Sequence, residues 1–178
     1  MTARFEIIDA KPQHCGVMAR TLRDEHRKIV DRAGMSAHRL LRECFDQSPF
    51  RRAWLIDGEL AALGGVMGTI VGPSGTVWLA LSQKATRYPI AIIKEARRQL
   101  AEILSVRREV VTTIVFGDDA ARRLAIFLNF HVSHDQFGGP AYSKAERQWL
   151  YKFVETCDER IVGVGDVRGV IMGYHEGS

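Results

Sequence analysis

From Arg4 to Ala10 the apolar residues Phe5, Ile7 and Ile8 lie among charged ones, a pattern that predicts a short strand, and Pro12 ends it. The spacing then turns helical. Val17, Met18 and Leu22 predict a helix from Pro12 or Gln13 to about Arg23; a second helical piece covers Asp24–Ala33, and Gly34 stops it. Ser36 is a good N-cap for a third helix, Ala37–Phe45, which gathers Leu40, Leu41, Cys44 and Phe45 on one face before Ser48–Pro49 closes it. Next, Ala53–Ile56 and Leu60–Ile70 flank Asp57-Gly58, a pair suited to the tight primed turn of a hairpin because both central residues need positive φ. Gly64 and Gly65 inside the second strand point to a bulge or to a close approach by another backbone. Gly72-Pro73-Ser74-Gly75 then turns into a third strand, Thr76–Ser82.

The stretch from Thr76 to Phe130 carries the most information. A polar loop, Gln83–Tyr88, follows the strand and leads into a helix from Pro89 to about Val106. Its apolar stripe is Ile93, Ala96, Leu100, Ile103 and Leu104. Val110–Phe116 is β-branched on both faces, as a strand covered on both sides would be. Asp118 or Asp119 caps a short helix that turns Ala121, Leu124, Phe127 and Leu128 inward. A right-handed strand–helix–strand crossover makes Thr76–Ser82 and Val110–Phe116 parallel neighbours, expected to splay at their carboxyl ends and open a cleft. The crossover helix aims its first turn at that space, and unpaired N–H groups there suit a phosphate. The loop before it, however, contains no glycine.

His131–Asp135 and Arg147–Glu155 read as a final strand pair around the Gly- and Pro-containing loop Gln136–Ala145. The expected division is a domain over residues 1–156 and a glycine-spaced tail over 157–178, which adds a hairpin about Gly165–Asp166 or stays mobile. The predicted fold class is α/β, with a bent mixed central sheet of six or seven strands and helices on both faces.

Composition narrows the classes. With 178 residues, 46% apolar and 26% charged, the chain is long enough for one sizeable core and far from disordered composition. No apolar run reaches membrane-spanning length, and the first residues show no signal-peptide core. Cys15, Cys44 and Cys157 are scattered and odd in number, which fits free thiols in a reducing cytoplasm. The net charge of +4 raises nucleic acid as a partner. Its arginine pairs are dispersed among acids on helices, and without a DNA- or RNA-binding signature they read as solvated faces.

Few residues stand out for chemistry. Glu6, Asp57 and Glu59 are carboxylates near strand ends that could deprotonate an amine, although Asp57 suits its turn and Glu59 a solvated hairpin position. His131 and His134 fall on opposite faces of an extended segment, and no Cys or His set has metal-ligand spacing, so no metal is expected. Trp54, Trp78 and Trp149 read as core or interface residues.

The element order resembles the GCN5-related N-acetyltransferase (GNAT) fold over roughly Arg4–Thr156. AWLIDGELAALGGV looks like that family's second and third strands, and FGDDAARRLAIFLNFHV is similar to its pattern of Asn, small residues, a tyrosine, then Gly-Phe. The order also resembles small tailed-phage GNAT-like proteins related to a podophage internal virion protein, with Trp78 before the crossover and Arg87-Tyr88-Pro89 closing the polar loop. The resemblance implies acetyl-CoA as cofactor and a small amine as substrate if the chain is an enzyme. It places the pantetheine arm on Leu79, Ala80 and Leu81 and the pyrophosphate on Gln83, Lys84, Ala85, Thr86, Arg87 and Tyr88. Gln83 matches the first position of the family's Gln/Arg-x-x-Gly-x-Gly/Ala loop, while Thr86 and Tyr88 stand where its glycines belong. The family's general-acid tyrosine falls at Phe127, and Tyr142 and Tyr151 are the candidates to replace it. With both signatures altered and the scaffold pattern intact, the expected role is a non-catalytic virion, assembly or host-interaction protein, in the host cytoplasm or the virion. An acyl-CoA-dependent N-acetyltransferase is the alternative, and a nucleic-acid-binding module is a second. Trp149, Leu150, Tyr151 and Phe153 leave apolar groups on both faces of the closing strand, and the resemblance tilts their cover toward a homodimer.

Overall fold

The computed structural model describes residues 3–32, 34–68, 74–114, 118–130 and 160–166. Its elements run β1 (Phe5–Asp9), α1 (Pro12–Thr21), α2 (Asp24–Arg32), α3 (Ala37–Asp46), β2 (Phe50–Ile56), β3 (Glu59–Met67) and β4 (Ser74–Leu81). A 3-10 turn (Gln83–Arg87) leads into α4 (Pro89–Val106), then β5 (Glu109–Ile114), α5 (Asp119–Phe127) and β6 (Arg160–Asp166). The described strands form one mixed sheet of six in the order β1-β2-β3-β4-β5-β6. Pairing is antiparallel throughout except between β4 and β5.

Local chemistry explains most boundaries. Ser36 caps α3 by accepting a hydrogen bond from the Arg39 amide at 3.2 Å, and Asp118 caps α5 by accepting from Ala121 N at 2.9 Å. Asp57 and Gly58 take φ of 53° and 79°, the backbone of the primed turn that joins β2 to β3. Asp57 also accepts a hydrogen bond from the Arg4 amide, so its carboxylate serves the turn and β1.

Two helical layers cover the sheet. Helices α1 and α3 pack Cys15, Met18, Leu22, Leu41 and Phe45 against Ala53, Leu63 and Ala80. On the opposite face α4 packs Ile92 and Ala96 against Trp54, Ile56 and Ala62, and Leu100, Ile103 and Leu104 against Val66 and Val110. The buried stripe of α4 runs through Ile92 and Gln99, with Ile93 at its half-buried margin, so the helix sits slightly rotated from the expected face. In α5 the buried side is Ala121, Leu124, Ala125 and Leu128, which leaves Phe127 outward and 55% exposed. That corrects the expected inward Phe127: positions i, i+3, i+4 and i+7 share one side of a helix, and Phe127 falls off that set.

Gly64 and Gly65 are places of close approach. A Cβ at Gly64 would lie 2.9 Å from the Trp78 carbonyl oxygen, and one at Gly65 would lie 2.6 Å from that of Phe50. One bulge of the sheet lies earlier in β3, where the three residues Leu60, Ala61 and Ala62 oppose Trp54 and Leu55 of β2, and another irregularity falls in the β5–β6 pairing between Val110 and Thr112. The tail supplies a strand: Gly165 and Asp166 pair with Val110 and Glu109, where a hairpin turn about Gly165–Asp166 was expected. The expected strands His131–Asp135 and Arg147–Glu155 lie outside the described residues. Among the described residues no helix is long and apolar enough to cross a membrane.

Because the Gly65 contact is to backbone, Gly65→Ala is expected to destabilise the fold by about 1–3 kcal/mol, the scale of an overpacked core site. A lowered urea midpoint at unchanged slope checks this.

Candidate active site

The parallel ladder between β4 and β5 is short. It pairs Ser74 with Glu109, Gly75 with Val110 and Thr76 with Val111, and the Thr112 hydroxyl then donates to the Val77 carbonyl at 3.0 Å. Past that point β4 runs on to Leu81 and β5 to Ile114 without pairing each other, so the strands part at their carboxyl ends as expected. A cleft of about 570 Å³ occupies the opening. Leu22, Leu41 and Trp78 line it on one side of the sheet, Ile92, Ala96 and Leu124 on the other.

The free edge of β4 is only partly available. Main-chain groups alternate sides along a strand, so Val77, Leu79 and Leu81 turn theirs to the opening while Ala80 faces β3. The Leu81 carbonyl accepts from the Arg23 amide at 3.0 Å, and the Leu81 amide donates to His26 Nδ1 at 3.3 Å. Of the expected Leu79–Leu81 segment, Leu79 therefore presents its N–H and C=O to the cleft.

Across the opening stands an ionic cluster that sequence reasoning missed. Arg23 Nη2 donates to Asp118 Oδ2 at 2.7 Å, with the two side chains 7% and 4% exposed, and also reaches His26 Nε2 at 2.8 Å. Arg23 sits at the break between α1 and α2, against the end of β4; Asp118 begins α5, the element after β5. The pair thus braces the two parted strands. Burial, and secondarily the Arg23 charge, push the His26 pKa down to about 3. The geometry agrees: a neutral imidazole accepts at one nitrogen, and both ring nitrogens face N–H donors, so a second ring proton would remove the one acceptor. The Asp118 cap was legible in the sequence; its partner 95 residues away was not.

The expected pyrophosphate loop is a 3-10 turn. Ala85 is buried, the Tyr88 amide donates to the Ala85 carbonyl at 3.0 Å, and Thr86 Oγ1 bonds the Gln83 carbonyl at 2.7 Å. Lys84 Nζ lies 3.0 Å from the Glu59 carboxylate, which ties up a charge expected for phosphate and a carboxylate weighed as a base. Gln83 and Arg87 are exposed. The amides free for an anion are those of Ile90 and Ala91, because Pro89 has none and Ile92 N already bonds the Tyr88 carbonyl. Tyr142, Tyr151, His131 and His134 lie outside the described residues.

Among the described residues, four buried polar atoms of cleft-lining residues have no hydrogen-bond partner: Arg23 Nε, Trp54 Nε1, Thr76 Oγ1 and Gln99 Oε1. Buried polar groups are nearly always satisfied in native proteins, so these four call for an explanation.

The six-stranded sheet, with a parallel pair that parts over a crossover helix, matches solved structures. The chain is similar to the ribosomal-protein-S5-alanine acetyltransferase from Vibrio fischeri, with a TM-score of 0.56 at 9% identity, covering 93% of this chain and 97% of that one. It is similar to the ribosomal-protein-S18-alanine N-acetyltransferase from Escherichia coli (0.55, 11%, 90% of each chain). It is also similar to the diaminobutyrate acetyltransferase EctA from Paenibacillus lautus, solved with L-2,4-diaminobutyric acid and coenzyme A (0.53, 15%, 93% and 97%). The chain has the GNAT acetyltransferase fold. At these identities the likeness is one of fold. No protein-family model matches the sequence, and no curated protein matches it. Phe127 of α5, though mostly exposed, is among the residues that border the parted β4/β5 opening.

Two outcomes are expected. Asp118→Asn removes the charge that compensates a buried guanidinium and should cost about 3–5 kcal/mol of stability, read by urea unfolding at neutral pH. His26 is neutral when folded and takes a proton below pH 6.5 when unfolded, so its contribution is complete above 6.5 and is lost as pH falls toward 3. Wild type should therefore lose stability more steeply than His26→Gln between pH 6.5 and 5, by up to about 1.4 kcal/mol per pH unit. Parallel curves would show that His26 titrates normally.

Proposed function

We propose that the protein binds an acyl-CoA thioester in the β4/β5 opening and transfers its acyl group to an amine. The observation that carries this is a mostly apolar cleft along a strand edge that leaves the Leu79 N–H and C=O without a strand partner. A ligand suited to that wall is a slender, largely apolar chain with a few amide and hydroxyl groups, and the pantetheine arm of coenzyme A has that character. The open Leu79 N–H and C=O add strand-like partners for its amides.

The other end of the ligand fits less closely. Without glycines the main chain of Gln83–Tyr88 cannot wrap a pyrophosphate, so its charge falls to exposed Arg87 and to the Ile90 and Ala91 amides at the start of α4. When bound, the thioester supplies an activated acyl carbon. The amine nitrogen bonds to that carbon, the C–S bond breaks, and the proton lost by the amine ends on the departing sulfur. Phe127 cannot deliver that proton, so the chain's contribution is alignment in a water-poor cleft. Low-identity neighbours that are acetyltransferases favour this reading over an assembly role in a virion.

Phe127 also favours a second reading, in which the cleft binds a thioester without turning it over. Calorimetry with acetyl-CoA and CoA tests binding: sub-millimolar affinity supports the proposal, and no heat with either ligand sinks it. Thiol release in the presence of simple primary amines then separates turnover from binding alone. Arg87→Ala should weaken CoA binding by about 1–3 kcal/mol, the scale of a charge-assisted contact, and unchanged affinity would place the phosphates elsewhere.

A further inference from the structure

The large apolar side chains left exposed among the described residues are unevenly placed. Ile90, Ile126 and Phe127 stand on neighbouring helices, and only Val106 lies apart, at the far end of α4. Scattered singly, such residues need no explanation; gathered on one surface they do. The helical period gathers these. Ile90 and Arg97 are seven residues apart on α4 with Lys94 between them, so all three share one exposed side of that helix. Arg97 Nη2 donates to the Phe127 carbonyl at 2.8 Å, which brings the end of α5 against that side. On α5 itself Arg122, Arg123, Ile126 and Phe127 are exposed, opposite the buried Ala125.

The cations on this surface share one sign and lack counter-charges. Lys94, Arg122 and Arg123 have no acidic partner among the described residues, and Arg97 bonds a carbonyl. The acids of the two helices are occupied or set apart. Glu95 is held by Arg98 and Gln99, Glu102 lies 3.8 Å from Arg52, and Asp119 stands in the first turn of α5.

Bare cations beside bare aliphatic groups restrict the partner. A second copy of the chain, docked about a two-fold axis, would set this patch against itself and oppose its cations. Nucleic acid would use the cations but leave Ile90 and Ile126 against phosphate. An anionic bilayer takes both, with the basic groups among the phosphate headgroups and the apolar ones in the acyl boundary. We propose that this α4–α5 surface, centred on Arg97 and Ile126, is a peripheral binding face for anionic lipid membranes. It stands independently of the acyl-transfer reading. Arg123 and Phe127 also border the cleft, so a docked bilayer lies beside the mouth of the opening.

The test is cosedimentation of the full-length protein with vesicles of phosphatidylcholine alone and of phosphatidylcholine mixed with phosphatidylserine. The protein should pellet with the mixed vesicles, stay in solution with the neutral ones, and be released as salt is raised. The double variant Arg122→Gln/Arg123→Gln should weaken that binding about 5-fold for each charge removed. Ile126→Ser should weaken it about tenfold. All three positions are exposed, so these polar replacements leave the fold intact. No binding to the mixed vesicles, equal binding to both kinds, or unchanged binding in either variant overturns the proposal. Retention on DNA without vesicle binding overturns it in favour of a nucleic-acid partner. A wild-type dimer that Ile126→Ser dissociates overturns it in favour of a second copy.

Discussion

The ion pair between Arg23 and Asp118 joins the two ends of an opening that hydrogen bonding alone would leave loose. Strands β4 and β5 share a ladder for three residue pairs and then part, so their carboxyl ends need another connection. The chain provides it from outside the sheet. The α1–α2 junction bonds the end of β4 through Leu81, and the guanidinium of Arg23 crosses to the first residue of the segment that opens α5. Two charges so deeply buried are stable only as a pair. The width of the cleft and the position of α5 on its wall depend on that one contact.

The start of α4 shows how a scaffold and a ligand cradle can diverge. A phosphate cradle needs main-chain N–H groups turned outward with room for oxygens beside them, and glycine supplies both. Here Ser82, Ala85 and Tyr88 close a 3-10 turn on themselves, and Ala85 is buried within it. Lys84 is drawn to Glu59 of the β2–β3 hairpin. The segment gains local stability from these bonds and keeps fewer groups for an anion, while the deeper cleft retains its unpaired polar atoms.

Close approach of backbones organises the middle of the sheet. Gly64 and Gly65 let β3 lie against the carbonyls of Trp78 and Phe50. Beside them Trp78 Nε1 donates to Ser48 Oγ at 2.8 Å, and Ser48 Oγ donates to the Cys44 carbonyl at 2.6 Å. This chain of bonds ties α3 to β4 across the sheet face that forms one cleft wall. Trp78, expected to be a core or interface residue, is thus an anchor.

Much of this architecture was readable from local signals. Periodicity placed five helices and the strands before and after the crossover; Ser36 and the pair Asp118-Asp119 marked caps, and Asp57-Gly58 marked the turn. These features act within a few residues, where side-chain spacing and backbone torsion decide the outcome. The sequence also showed that the loop lacked glycine. Only the tertiary structure decided that Phe127 faces outward, that Lys84 answers to Glu59, and that Arg160–Asp166 extends the sheet beside β5. The same holds for Arg23 and Asp118. Neither residue has a pattern around it that names the other; they meet because the crossover sets the end of β4 opposite the start of α5, and in the water-poor gap between them a lone charge would be too costly to keep.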